Sequence, residues 1–202
     1  MSARPATSSI HPCSADAAAL KQHANLGRLT VSRASGDLDG DGDFDRIDVF
    51  GARSVSILDQ QGRLVWESGE LFERLAQHND DIGVNLFNTD STANVRDNRS
   101  DNKGVEPESV VVGEANGRPY AFVGLERDGG IVVLDLSEPT APRLVTYVNR
   151  RQLLTTCGNT SDCGDLGPEG LTFVPARDSP TGLPLLIVSN EVSSTTIVWQ
   201  IQ

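Results

Sequence analysis

The chain has 202 residues, 38% hydrophobic but only 5% aromatic, with 19 Gly and 10 Pro. That composition suits a β protein with a Val, Leu and Ile core and many turns better than a helical bundle. Its 28 acidic against 17 basic residues give a formal net charge of −11, which repels nucleic-acid backbones and favours bound cations.

Residues 1–14, MSARPATSSIHPCS, are polar and Pro-containing and read as a disordered segment with no apolar core of a signal peptide. The domain proper is expected over 15–202. Residues 15–24, ADAAALKQHA, favour a short helix, and GRLTVS alternates as a strand.

The acidic loop that follows is the strongest local motif. Asp37, Asp39 and Asp41 stand at positions one, three and five of a DxDxDG calcium loop, and Gly42 supplies the sharp turn at six. Asp43 falls at seven, Asp45 at nine and Asp48 at twelve, where the longer Glu is usual. Six carboxylates in so short a stretch repel one another unless a cation neutralises them. The segments on both sides read as strands, not helices, so the expectation is a Ca²⁺-stapled turn between strands and not a sensor hand. The alternative is a solvated acidic turn.

Next come a turn at Gly51, a strand at Ser54–Leu58, a turn at Gln60–Gly62 and a strand at Leu64–Glu67. Residues 70–78 read as a short helix with Leu71, Phe72 and Leu75 on one face. Residues 88–104 have no periodicity and read as a long loop that needs something such as an ion to order it.

The last hundred residues repeat weakly. One unit begins at Pro107 and a second at Pro168, each with Pro-Glu, a strand, a turn, an apolar strand ending in Glu, and a further strand. Glu108 matches Glu169, and Glu126 matches Glu191. Such units, recurring at ~40–60 residues, predict an all-β chain organised as β-propeller blades, about three to four of them, with short helices in the connections. A complete ring needs more, so upstream blades or self-association are expected. In a propeller the matched glutamates face the central channel or its mouth, where a carboxylate cluster can hold Ca²⁺ and Arg127 or Arg53 can meet a phosphate. The alternative is that they accept backbone N–H groups and pair with Arg inside the blades. Asp101 and Lys103 are weaker candidates for the same rim.

Cys157 and Cys163 bracket the short loop CGNTSDC and are candidates for a disulfide, with two free thiols as the alternative; Cys13 is left over. A disulfide would place the chain in an oxidising compartment. His11, His23 and His78 lack metal-ligand spacing, and Trp66 and Trp199 read as blade-packing residues. There is no nucleophile elbow, zincin motif, P-loop or dinucleotide fingerprint.

Three runs, GDLDGDGDFDRIDVFGARSVSILD, RSDNKGVEPESVVVGEANGRPYAFVGLERDGGIVVLDL and GDLGPEGLTFVPARDSPTGLPLLIVSNEVSSTTIVWQI, together resemble the choice-of-anchor I family over about residues 16–202. The resemblance implies a secreted or surface-attached bacterial β-propeller whose N-terminal blades are not in this chain. Some relatives are labelled alkaline phosphatase and others cell-surface glycoprotein. Val105 stands where the family usually has Pro and Ser109 where it has Gly, while Glu106 and Glu108 are retained. The first expectation is therefore an extracellular, Ca²⁺-stabilised scaffold or binding module for a cell-surface ligand. The alternative is a Ca²⁺-dependent phosphoesterase acting on a phosphate ester, with Glu108, Glu126, Glu169, Glu191 and Arg127 as candidate site residues. No membrane anchor is visible in this stretch of sequence.

Overall fold

A computed structural model describes residues 4–5, 16–51, 53–81, 87–90, 95–152 and 163–202. The chain divides into two compact units, residues 1–51 with 99–104, and residues 52–98 with 105–202.

In the first unit the two-residue strand β1 (Arg4–Pro5) pairs antiparallel with β2 (Thr30–Val31). Helix α1 (Ala17–Leu20) is a single turn, shorter than the alanine-rich run allows. Val31 is fully buried and also bridges to Val49, and the Ser32 N–H donates to the Asp48 carbonyl. These two contacts close the base of the acidic loop between Val31 and Val49.

The second unit is built from antiparallel meanders. Strands β3 (Ser56–Leu58) and β4 (Leu64–Glu67) form a hairpin, and α2 (Leu71–Asp81) follows it. The hairpin turn is set by Asp59, whose Oδ1 accepts the N–H groups of Gln61 and Arg63, with Gly62 at a φ of 76°. A four-stranded sheet then runs in chain order through β5 (Pro107–Ala115), β6 (Arg118–Leu125), β7 (Gly130–Asp135) and β8 (Arg143–Asn149). Asn116 and Gly117 join β5 to β6 with φ of 53° and 74°, the pair of left-handed residues that a tight right-twisted hairpin requires. The last sheet has three strands, β9 (Pro168–Val174), β10 (Leu185–Asn190) and β11 (Thr195–Gln200).

The four-stranded sheet is covered on both faces, which explains why β6 and β7 are nearly all apolar instead of alternating. On one face Ala121, Val123, Leu125, Val132 and Leu134 pack with Phe72 and Ala76 of α2 and with Trp66 of β4. On the other, Phe122 and Ile131 meet Leu186 and Val188 of β10, and Phe122 stacks on Phe173 of β9 at 5.8 Å between ring centres. The approach of β9 to β5 depends on Gly113. A Cβ there would lie 2.3 Å from the Phe173 ring. The Ser109 hydroxyl adds a polar tie, donating to the Pro168 carbonyl at 3.2 Å.

The expected all-β class is thus met: the chain is mostly strand, in antiparallel sheets, and none of the described sheets closes on itself. The helix expected at 70–78 and the strand at Leu64–Glu67 are found within a few residues. Of the segment 1–14, only Arg4 and Pro5 lie within the described residues.

Candidate functional site

The internal repeat in sequence is a repeat in structure. Strands β5, β6 and β7 correspond to β9, β10 and β11, and the matched glutamates occupy matched places. Glu108 and Glu169 are the second residues of β5 and β9, while Glu126 and Glu191 follow directly on β6 and β10. The same backbone bond locks each pair of ends. The Glu126 N–H donates to the Glu106 carbonyl at 2.7 Å, and the Glu191 N–H donates to the Gly167 carbonyl at 2.8 Å. Packing β5 against β9 brings the four glutamates to one end of the two sheets.

There they interact as charges. Glu126 is buried, which raises its carboxyl above the ordinary range; Arg127 opposes the shift, while Glu108, which also shares a hydrogen bond with it, and Glu191 add to it. Glu169 is raised chiefly by Glu191, with which it shares a hydrogen bond, and further by Glu108. Each repeat therefore contributes one close pair of carboxyls, and the two pairs feel each other. A hydrogen bond between two carboxyls needs a proton on one of them or a cation in its place.

Glu106 completes the group. Donor oxygens of Glu106, Glu108 and Glu126 lie within 4.8 Å of one another. Arg127 places its guanidinium among them, with Nη2 2.9 Å from Glu126 Oε1 and Nε 3.5 Å from Glu106 Oε2. Glu106 is 2% exposed and has a φ of 53°, in the left-handed region that a side chain adopts only at a cost. The equivalent residue in the second repeat is Gly167, with a φ of 74°. A glutamate where the fold favours glycine is the kind of local strain found at functional sites. The sequence held a sign of this in the run Glu106-Pro107-Glu108, but Glu106 was not among the matched glutamates because its partner in the repeat is a glycine.

Behind the glutamates lies a second polar group that the sequence reading missed. Asp128 is buried and accepts hydrogen bonds from the Tyr147 hydroxyl and, at 3.2 Å, from Asn149 Nδ2. Burial pushes its carboxyl up to about 6, against the opposing effects of Tyr147 and Arg151. The Arg151 guanidinium donates to the carbonyls of Arg127, at 3.0 Å, and of Asp90. The backbone carrying Arg127 is thus held from behind by a buried side-chain network. Its residues come from separate turns and strands, and no spacing rule connects them.

Arg53, the other arginine singled out in the sequence, pairs with Glu73 of α2 at 2.9 Å. Asp101 and Lys103 belong to the first unit. There Asp101 lies 3.9 Å from Arg28 and accepts the Thr30 N–H through its carbonyl, while the Lys103 stem packs beside Gly51.

The acidic loop is arranged from within. Asp37 accepts the N–H groups of Gly40 and Gly42, Asp39 that of Asp41, Asp41 that of Asp43, and Asp45 that of Leu38. Gly40 and Gly42 adopt φ of 82° and 98° with open space around them. Donor oxygens of Asp37, Asp39 and Asp45 fall within 4.8 Å of one another. Asp43 is raised by its neighbours, first by Asp41. Asp48 is turned to another use: Arg46 grips it through two bonds of 2.7 and 2.9 Å and holds its carboxyl below the usual range. An all-carboxylate donor set suits a hard cation such as Ca²⁺ at both places.

Cys163 is buried against Leu166 and Val192 and is disulfide-bonded. Cys157 lies outside the described residues.

The profile of the choice-of-anchor I domain matches residues 3–139. Gigasin-3a of Magallana gigas is 31% identical over 199 residues, spanning 91% of this chain and 67% of that protein. No solved structure matches the chain. The chain belongs to the choice-of-anchor I family, which points to a cell-surface or extracellular protein.

Proposed function

We propose that the chain is a Ca²⁺-stabilised extracellular scaffold or binding module of β-propeller type, in which a cation held by Glu106, Glu108 and Glu126 secures the junction of two blades. The observation that carries this reading is the convergence of those three carboxylates, within 4.8 Å, beside Glu169 and Glu191 of the next sheet. Five carboxylates gather there, with the Arg127 guanidinium between two of them. At neutral pH such a cluster favours a divalent cation, which would replace the shared protons and relieve the repulsion. The strained backbone at Glu106 supports the same reading, since glycine would serve the turn alone. The blade assignment rests on the two meanders, their matched strands and their face-to-face packing. The acidic loop at Asp37, Asp39 and Asp45 would hold a second Ca²⁺ that staples the first unit. The disulfide at Cys163 fits an oxidising, extracellular setting.

A phosphoesterase needs Arg127 for the phosphate, but its guanidinium is placed between Glu106 and Glu126. That pairing favours a binding module over hydrolysis. Thermal unfolding with Ca²⁺ and with chelator tests the proposal. The expected result is a higher Tm in Ca²⁺, with most of the gain lost in the Glu106→Gln, Glu126→Gln double variant. An unchanged Ca²⁺ response in that variant would remove the cation from the glutamate site. Phosphate release from a monoester or diester, dependent on Ca²⁺ and abolished by Glu126→Gln, would replace the scaffold by the hydrolase.

A further inference from the structure

The turns that carry Glu126 and Glu191 occupy equivalent places in the two repeats but are held in different ways. In the first repeat Glu126 is followed by Arg127 and Asp128; in the second, Glu191 is followed by Val192 and Ser193. Val192 is settled by apolar packing against Cys163 and Leu166. The Ser193 hydroxyl accepts the Leu166 N–H at 3.0 Å, which ties that turn to the segment leading into its own sheet. Arg127 has another task. Its guanidinium must reach Glu126 and Glu106 together, and a long side chain keeps such an aim only if the backbone beneath it is fixed.

The end of β8 fixes it. Asn149 Nδ2 donates to the Asp128 carbonyl at 2.9 Å, and Arg151 Nη1 donates to the Arg127 carbonyl at 3.0 Å. The Arg151 N–H donates to Asn149 Oδ1 at 2.8 Å, which sets the two donors side by side. The other arm of the guanidinium, Nη2, donates to the Asp90 carbonyl, so the brace is anchored in a segment outside the sheet. Arg151 is 7% exposed, within the field of Asp128 and Asp90. A buried cation is a costly way to satisfy a carbonyl. What it adds over a neutral amide is a rigid fork that spans two segments at once.

We propose that Asn149 and Arg151 are positioning residues for the cation site: they fix the carbonyls of Arg127 and Asp128 and so hold the Arg127 guanidinium and the Glu126 carboxylate where the cation needs them. The inference rests on the cation reading above. Supporting residues of this kind change metal affinity by about 10–100-fold.

Arg151→Lys keeps the charge but loses the fork that spans both carbonyls. Arg150→Lys, one position earlier, is the control, because Arg150 pairs with Asp165 at 3.1 Å. In chelator, amide exchange in Arg151→Lys should quicken at Glu126 and Arg127. It should stay unchanged at Glu191, whose bond to the Gly167 carbonyl is the counterpart in the second repeat. Ca²⁺ titration by calorimetry should show the glutamate event weakened about tenfold or more and the loop event unchanged. The control should match the wild type in both. If the lysine variant does not fold, Asn149→Ser, which removes the tie to the Asp128 carbonyl, is read in the same way. Exchange that quickens equally at Glu126 and Glu191 would make these residues general props and overturn the proposal. Undiminished Ca²⁺ affinity in the variants would overturn it as well. A wild type that binds no Ca²⁺ at the glutamates would overturn the cation reading and this inference with it, and the wild-type titration tells that failure from the others.

Discussion

The acidic loop and the glutamate cluster gather similar charge by opposite means. In the loop, Asp37, Asp39 and Asp45 come from one short exposed stretch and are arranged by hydrogen bonds to their own backbone. In the cluster, five glutamates come from four strand ends, two of them are buried, and Arg127 offsets part of the charge. Charge arranged locally forms wherever the turn forms and costs little when no ion is bound. Charge gathered across sheets depends on the fold and strains it in return, so the two regions should respond differently to the same treatments.

The largest difference is expected on removing Arg127. With Arg127→Ala, the buried Glu106 and Glu126 lose the counter-charge that Arg127 supplies, and stability in chelator should fall by about 3–5 kcal/mol. Ca²⁺ should restore much of it, as chemical denaturation in the two conditions would show. Removal of Arg46, which pairs with Asp48 on the exposed loop where solvent screens the pair, should cost far less. Equal losses would mean that the cluster is as well solvated as the loop.

The second test addresses the packing that assembles the cluster. Gly113→Val drives a side chain into the Phe173 ring and should cost about 1–3 kcal/mol while leaving the loop intact. If the packing of β5 against β9 is what brings the glutamates together, this variant should also lose Ca²⁺ affinity at the cluster, measured by calorimetry.

A third expectation concerns pH. The folded Asp128 carboxyl, at about 6, binds its proton more tightly than the unfolded one at 3.8. The folded state therefore holds more protons through that window, and its stability falls as pH rises from about 4 to about 6, then levels. The full shift corresponds to about 3 kcal/mol. Asp128→Asn, which keeps an acceptor for Tyr147, should flatten this part of the profile. A slope unchanged in the variant would assign the pH dependence to other groups.

The smallest effect belongs to the loop. Asp39→Asn with Asp41→Asn should lower Tm by a few degrees in Ca²⁺ and hardly at all in chelator, on the scale of about 1 kcal/mol. An equal loss in both conditions would show that these carboxylates serve the turn and not an ion.

These contrasts also explain what could be read from the sequence. The loop was legible because its donors follow a fixed local spacing and its turn needs glycine at Gly42. Four of the cluster's residues were legible because repetition marks equivalent places without any knowledge of contacts. Arg127 was legible as their neighbour. Glu106 was not, since the repeat replaces it by Gly167, and its significance appears only in a φ of 53°. Asp128, Tyr147 and Arg151 were hidden for another reason. Their meeting depends on how the turn after β6 packs against the end of β8, which no periodicity encodes. The apolar run in β6 and β7 signalled burial on both faces, but not which elements cover them. Asp48 stands at the twelfth position of that spacing, and the spacing alone does not show that Arg46, two residues away, grips it through two bonds.

The central claim is that a cation sits among the strand-end glutamates. Ca²⁺ titration of the wild-type chain, the Asp39→Asn, Asp41→Asn variant and the Glu106→Gln, Glu126→Gln variant tests it most directly. Two binding events are predicted for the wild type, one for each variant, and the event lost with the glutamates should carry the larger share of the Tm increase. Two events persisting in the glutamate variant would contradict the account.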